Sequence, residues 1–179
     1  MIYFYLFVAP FLILIEIIII VQFYNLIFRG HAPFISTKAR VIENIFSEIN
    51  FGQDFNGVVY ELGAGKAGFL RAFEEKYPAT RLIGVEYAFF PFFLAKIQIA
   101  LAGSKIKMKK ANMFKLNLAD ADVIYCYLMP TVMKELEPKV SAECRPGTKI
   151  VSYQFLFPNL KPERMIDLEK MGKVYVYRI

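Results

Sequence analysis

The 179-residue chain carries 22 Lys and Arg against 16 Asp and Glu, a formal net charge of +6, and 56% of its residues are apolar. That length suits one domain of ordinary size, and an apolar fraction above the roughly 45–50% of soluble domains excludes a disordered chain and points to lipid. Cys126 and Cys144 make no disulfide framework, and with His31 as the lone histidine, His-based triads and multi-histidine metal sites are nearly excluded, so no metal is expected.

Residues 2–28 contain no Lys, Arg or Asp and one Glu, Glu16. About 20 apolar residues cross a bilayer core of about 30 Å. Tyr5 and Tyr24 stand about 28 Å apart along a helix and suit the two interfacial aromatic belts. A cleaved signal peptide fits less well, because no basic stretch precedes the run and no small-residue cleavage site follows it. The expectation is a transmembrane anchor over 1–30, followed by one domain over 31–179. Arg29, Lys38 and Arg40 follow the span and nothing basic precedes it, which places the domain on the cytoplasmic side. Glu16 near mid-span reads either as tolerated by a very apolar helix or as a contact with a partner helix.

The rest alternates strand and helix. Ser36 or Thr37 can cap a helix marked by Val41, Ile42, Ile45, Phe46 and Ile49. Val58–Leu62 reads as a buried strand, and Phe69, Leu70 and Phe73 mark a helix that ends before Pro78. Arg81–Glu86 is a second strand and Phe89–Leu101 a very apolar helix with Pro91 in its first turn. Residues 105–110 form a third strand, more exposed, with Lys105, Lys107, Lys109 and Lys110 as a solvated edge. Residues 122–127 form a fourth strand, 133–140 part of a helix broken around Pro138, and 149–155 a fifth strand. A closing hairpin follows over 164–168 and 173–178. This alternation predicts an α/β parallel sheet covered on both faces, with ligands at the carboxyl ends of the strands. The basic residues are scattered and read as a solvated face near anionic headgroups; no nucleic-acid motif is present.

The first strand runs into Glu61-Leu62-Gly63-Ala64-Gly65-Lys66-Ala67-Gly68, and Glu86 closes the second strand. Glycines let a ligand approach the backbone, and a carboxylate at that spacing can accept from both hydroxyls of a ribose. Two nucleosides compete. The Gly63, Gly65, Gly68 spacing matches a dinucleotide fingerprint, yet the charge of Glu61 repels a pyrophosphate and suits the amino group and sulfonium of S-adenosylmethionine.

Glu61-Leu62-Gly63-x-Gly65 followed by Glu86 resembles motifs I and II of class I S-adenosylmethionine-dependent methyltransferases. Asn112-Met113-Phe114 stands where that family often carries an acid near the adenine. The chain further resembles a narrower group, the small and often membrane-anchored protein-lysine methyltransferases. Its mitochondrial members modify the adenine nucleotide translocase and the ATP synthase c-subunit, and it has prokaryotic relatives. The matching pieces are the apolar N-terminal helix, Ala32-Pro33-Phe34-Ile35-Ser36-Thr37, Tyr127-Leu128-Met129-Pro130 and Ser152-Tyr153-Gln154-Phe155-Leu156-Phe157-Pro158. Lys66-Ala67 departs from the Asp-Gly pair common in the family, and Asn112 replaces its usual Asp. The resemblance implies a Rossmann-like class I methyltransferase sheet, mostly parallel with a C-terminal antiparallel hairpin, preceded by one transmembrane helix. It implies S-adenosylmethionine as cofactor, held by Glu61, Gly63, Ala64, Gly65, Glu86, Asn112 and Met113.

A lysine acceptor must be neutral, and an apolar aromatic channel favours that form. Tyr127 is the candidate to line the channel, with Tyr125, Met129, Pro130 and Phe155 beside it and Phe34 and Thr37 as lid contacts. The expected function is methylation of lysine on a protein, possibly membrane-embedded, by an enzyme tethered to the bilayer, with no nucleic-acid partner. The alternatives are a small hydrophobic acceptor such as a lipid or quinone, a nicotinamide-dependent oxidoreductase, and a non-catalytic membrane scaffold.

Overall fold

Short apolar strands that alternate with one-sided helices can bury both faces only as a parallel sheet between two helical layers. A computed structural model of the chain shows that arrangement over the residues it describes, 2–28 and 37–179. The chain divides into two units, Met1–Ile35 and Ser36–Ile179.

The first unit holds one helix, α1 (Ile2–Phe28), with Pro10 inside it. Its side chains are described at 7–21 and at Tyr24. The transmembrane span expected over 1–30 is not found there: among the described residues no helix is long and apolar enough to cross a membrane.

The second unit begins with α2 (Ala39–Glu48), then β1 (Val58–Leu62), α3 (Gly68–Lys76), β2 (Arg81–Glu86), α4 (Phe89–Leu101) and β3 (Lys107–Lys110). After a 3-10 turn at Met113–Lys115 come β4 (Val123–Cys126), α5 (Pro130–Glu143), β5 (Lys149–Tyr153), β6 (Arg164–Asp167) and β7 (Lys173–Arg178). The seven strands lie in the order β3-β2-β1-β4-β5-β7-β6. β3, β2, β1, β4 and β5 are parallel, while β7 runs antiparallel between β5 and β6. The expected mostly parallel sheet with antiparallel C-terminal strands is present. The chain reverses between β1 and β4, so the carboxyl ends of those strands open a crevice at the switch point.

Val41, Ile42 and Ile45 of α2, Phe69, Leu70 and Phe73 of α3, and Ala95 and Ile99 of α4 bury against one sheet face. Met133, Leu136 and Val140 of α5 bury against the other. Phe46, Phe51, Phe73 and Tyr77 pack ring to ring at 4.9–6.4 Å and lock α2 onto α3.

Three local expectations are corrected. The residue before α2 is Lys38, which makes no side-chain cap; the Thr37 hydroxyl is committed elsewhere, and Ser36 lies outside the described residues. α5 runs unbroken through Pro138, because that ring sits on its exposed side while Met133, Leu136, Glu137 and Val140 hold the helix down on both sides of it. Buried Glu137 accepts from Asn159 N at 2.9 Å, Asn159 Nδ2 at 3.1 Å and Leu160 N at 2.5 Å, tying α5 to the loop after β5. The third, fourth and fifth strands are shorter than read: β3 starts two residues later, β4 loses one residue at each end, and β5 ends two residues earlier, where Gln154 turns the chain out of the sheet.

Candidate functional site

β1 delivers Glu61 and Leu62 to the crevice, and the chain then turns through three left-handed residues, Gly63 (φ +69°), Gly65 (φ +52°) and Ala67 (φ +54°). Gly63 is required twice over: its φ disfavours any side chain, and a Cβ there would stand 2.8 Å from Leu128 Cδ2. Ala64 N donates to Val85 O at 2.9 Å, which pins the loop to the end of β2. That close approach depends on Gly84, where a Cβ would collide with Met108 Sδ and crowd Ala64 at 3.2 Å.

Glu86 fastens the same loop. One carboxylate oxygen accepts from Gly65 N at 2.9 Å and the other from Ala88 N at 2.8 Å. Each oxygen retains a second lone pair, so a half-exposed carboxylate remains able to accept from hydroxyls.

Glu61 is buried beneath the N-terminus of α3, where Leu70 N donates to it at 3.2 Å and Phe69 N also contributes. It thereby occupies helix amides that have no intrahelical partner. Burial pushes its carboxyl up to about 8; the two amides and Arg71 pull it down, and Glu86 pushes it further up. A cation beside this group would favour its ionised form.

Asn112 follows β3, and Ala111 N donates to Glu86 O at 3.1 Å, so the structure brings this loop next to β2. Its Oδ1 accepts from Phe114 N at 2.9 Å and caps the 3-10 turn, and Met113 is half-buried. Of the seven expected donor residues, Glu61, Gly63, Ala64, Gly65 and Glu86 form one connected constellation, with Asn112 and Met113 at its border.

The expected acceptor residues divide. Tyr127 is half-buried and faces Tyr153 at 4.8 Å and Phe155 at 6.2 Å, the latter nearly parallel. Burial and the neighbouring Tyr153 raise the Tyr127 hydroxyl above its ordinary range. Tyr125 is 1% exposed and stacked on Phe69 at 4.0 Å, so its ring belongs to the core beneath the crevice. The Tyr125 and Thr37 hydroxyls share a hydrogen bond of 2.8 Å, which fixes the chain just before α2. Met129 stands at the N-cap of α5 and Pro130 at its first turn. Phe34 lies outside the described residues.

Sequence reasoning missed four contributors. Tyr153 completes the aromatic wall and donates its hydroxyl to Met171 O. Gln154, at φ +71°, turns the chain after β5, while Ser152 Oγ donates to Phe155 O at 2.6 Å. Leu128 packs on Gly63 and joins the glycine loop to the residues before α5. The pairing of Cys126 with Ser152 carries Tyr127 alongside Tyr153, a signal that needs the strand register.

The residues fit S-adenosylmethionine. Backbone bared at Gly63, a half-exposed carboxylate at the end of β2 able to accept from ribose hydroxyls, and a buried carboxylate in β1 suited to a cation meet around one loop.

The profile of the ANTKMT methyltransferase domain matches residues 61–164. A protein-lysine N-methyltransferase of Saccharolobus islandicus (strain REY15A) is 27% identical over 154 residues, covering 83% of this chain and 94% of that protein. The adenine nucleotide translocase lysine N-methyltransferase of Mus musculus is 26% identical over 84% of this chain, which spans 65% of the mouse protein's length. Among solved structures, an RNA methyltransferase from Salinibacter ruber in complex with S-adenosyl-L-homocysteine superposes with a TM-score of 0.74 at 24% identity, over 81% of this chain and 94% of that one. At that identity the likeness concerns the fold alone. The resemblance read from the two motifs is borne out: the chain belongs to the ANTKMT methyltransferase domain family and is an S-adenosylmethionine-dependent methyltransferase.

Proposed function

We propose that this enzyme methylates lysine on a protein and works tethered to a membrane. The observation that carries the acceptor reading is the wall of Tyr127, Tyr153 and Phe155 at the carboxyl ends of β4 and β5, beside the glycine loop. The lysine specificity named for the archaeal and mouse relatives supports it.

When bound, S-adenosylmethionine supplies a methyl group already activated by a sulfonium, so the protein's task is alignment and exclusion of water. Gly63, Ala64 and Gly65 present bare backbone, Glu86 receives the ribose, and Asn112 and Met113 border the adenine. Glu61 answers the positive charge. The rings of Tyr127 and Phe155 exclude water from the incoming side chain, and Met129 and Pro130 shape its entrance. A lysine entering that wall loses hydration, which favours the neutral nucleophile. The raised Tyr127 hydroxyl retains its proton at neutral pH and serves as a hydrogen-bonding group at Oη, not as a base. Thr37, held by Tyr125, fixes the start of the domain just before α2.

For the tether, α1 spans 27 residues, and Phe7, Phe11 and Ile20 are each more than 60% exposed. Exposed apolar side chains of that size and number suit contact with a membrane. The basic residues that follow it favour a cytoplasmic position for the domain. Tethering raises the local concentration of membrane-protein acceptors.

Incubation of tritiated donor with membranes and the enzyme tests the reading. Label recovered in protein bands, and in methyl-lysine after hydrolysis, is expected. Label confined to the organic extract would point instead to a lipid or quinone acceptor, and absence of donor retention would leave only a scaffold.

A further inference from the structure

Basic residues are scattered along the whole chain, but their excess over acids falls in one stretch. Residues 87–119 contain six lysines and no acidic residue, while the remaining chain balances 16 basic against 16 acidic side chains. This stretch folds into α4, the edge strand β3 and the turn after it.

α4 packs through Pro91, Ala95 and Ile99 and turns its other side outward. Phe89, Phe93, Ile97 and Leu101 recur every fourth residue on that side, exposed by 67%, 50%, 41% and 84%. Phe89 and Phe93 stack at 6.1 Å, so the row begins as a continuous aromatic ledge. Lys96 stands within the exposed side, and Lys110 places its ammonium 6.0 Å from the Phe89 ring. Lys107 and Lys109 alternate with Lys110 along β3, so basic side chains rim both faces of the sheet edge. Of the acids that bracket this stretch, Glu86 accepts from Gly65 N and Ala88 N, and Asp120 accepts from the Tyr60 hydroxyl and pairs with Arg81; Glu74 accepts from Lys105 N at 2.6 Å.

We infer that the outer side of α4 and the adjoining edge strand β3 form a docking surface for an anionic lipid headgroup layer. Apolar side chains in helical register with a purely cationic rim are the pattern of an interfacial helix, and lysine stems reach from apolar ground to headgroups. A second copy of the chain is a poor occupant, since it would oppose like charges. Exposed aliphatic ends at Ile97 and Leu101 favour hydrocarbon over the base stacking of a nucleic acid. α4 begins three residues after Glu86, so docking brings the donor end of the crevice to the headgroup level. The inference stands independently of the acceptor and of α1.

The chain contains no tryptophan, so Phe93→Trp supplies a single indole on this surface, and Met165→Trp, on the exposed part of β6, supplies a control. Each full-length variant is reconstituted with vesicles of phosphatidylcholine alone or with about one-third phosphatidylglycerol, carrying bromine on the upper acyl carbons. Retained binding of S-adenosylhomocysteine verifies that each variant is folded. In anionic vesicles the Phe93→Trp indole is expected to shift to the blue and to be quenched at least about twofold more than the control. Adding Lys107→Gln, Lys109→Gln and Lys110→Gln is expected to weaken docking about a hundredfold and return quenching to the control level. Flotation with pure phosphatidylcholine reports α1 separately; its failure leaves the expected quenching in anionic vesicles unchanged. Equal quenching at both positions, indifference to anionic lipid, or a blue shift without bromine quenching would overturn the assignment. So would loss of quenching on adding a single-stranded RNA homopolymer, which would assign the face to nucleic acid.

Discussion

The two halves of the crevice are made of different materials. On the β1–β2 side the walls are main chain: three consecutive alternate residues with positive φ, a loop amide on Val85 O, and two carboxylates that accept backbone N–H groups. On the β4–β5 side they are side chains, the rings of Tyr127, Tyr153 and Phe155, held by a left-handed turn at Gln154. A wall of backbone has almost no tolerance, because one added methyl meets another part of the fold. A wall of rings can lose a hydroxyl and retain its shape. On the proposed function, the first half holds the donor and is built for one cofactor, and the second receives the acceptor and is built to be retuned.

That contrast can be broken at graded points. Gly63→Val combines strain at positive φ with overlap on Leu128, each about 1–3 kcal/mol, and is expected to abolish measurable adenosylhomocysteine binding by calorimetry and lower Tm. Glu86→Ala removes acceptors from Gly65 N and Ala88 N and from the proposed ribose; hydrogen bonds to a charged group contribute about 1.5–3 kcal/mol each, so affinity should fall at least tenfold. Tyr127→Ala should leave adenosylhomocysteine affinity unchanged and slow methyl transfer roughly ten- to a hundredfold, while Tyr127→Phe slows it far less; single-turnover assays measure both.

Glu61 gives a pH signature. Its carboxyl titrates near 4.5 when unfolded and near 8 when folded. Between those values the folded state binds a proton that the unfolded state has released, so stability is greatest below about 4.5 and declines as pH rises through about 8. Thermal unfolding of the wild type should show that decline, on the order of a few kcal/mol, and Glu61→Gln should flatten it. A Glu61→Gln profile as steep as the wild type would dissociate this carboxyl from the effect. The smallest effect is expected from Ser152→Ala, which removes a buried hydroxyl from Phe155 O at a cost of about 1 kcal/mol and slows transfer only severalfold.

The same contrast explains what could be read from the sequence. The donor half is local: Glu61 through Gly68 is one loop, and Glu86 follows in the next strand, so spacing alone locates it. The parallel sheet was legible for the same reason, since Val58–Leu62 and Arg81–Glu86 are short apolar runs separated by helical patterns. The acceptor half depends on which strand lies beside which. Tyr127 and Tyr153 meet only because β4 pairs with β5 in one register, and no run of residues announces that. Tyr125 was expected beside Tyr127 in the channel, yet α3 covers it with Phe69. Pro138 looked like a break because its effect depends on which side of α5 meets solvent. The need for a glycine at 84 comes from Met108 and Ala64, which lie far from it in sequence.

The most direct test of this division of labour is the calorimetric dissociation constant of S-adenosylhomocysteine for Glu86→Ala and Tyr127→Ala measured side by side with the wild type. Affinity lost in the first variant and retained in the second is the predicted result. Wild-type affinity in Glu86→Ala, or an equal loss in both, would contradict a cofactor held by the β1–β2 half alone.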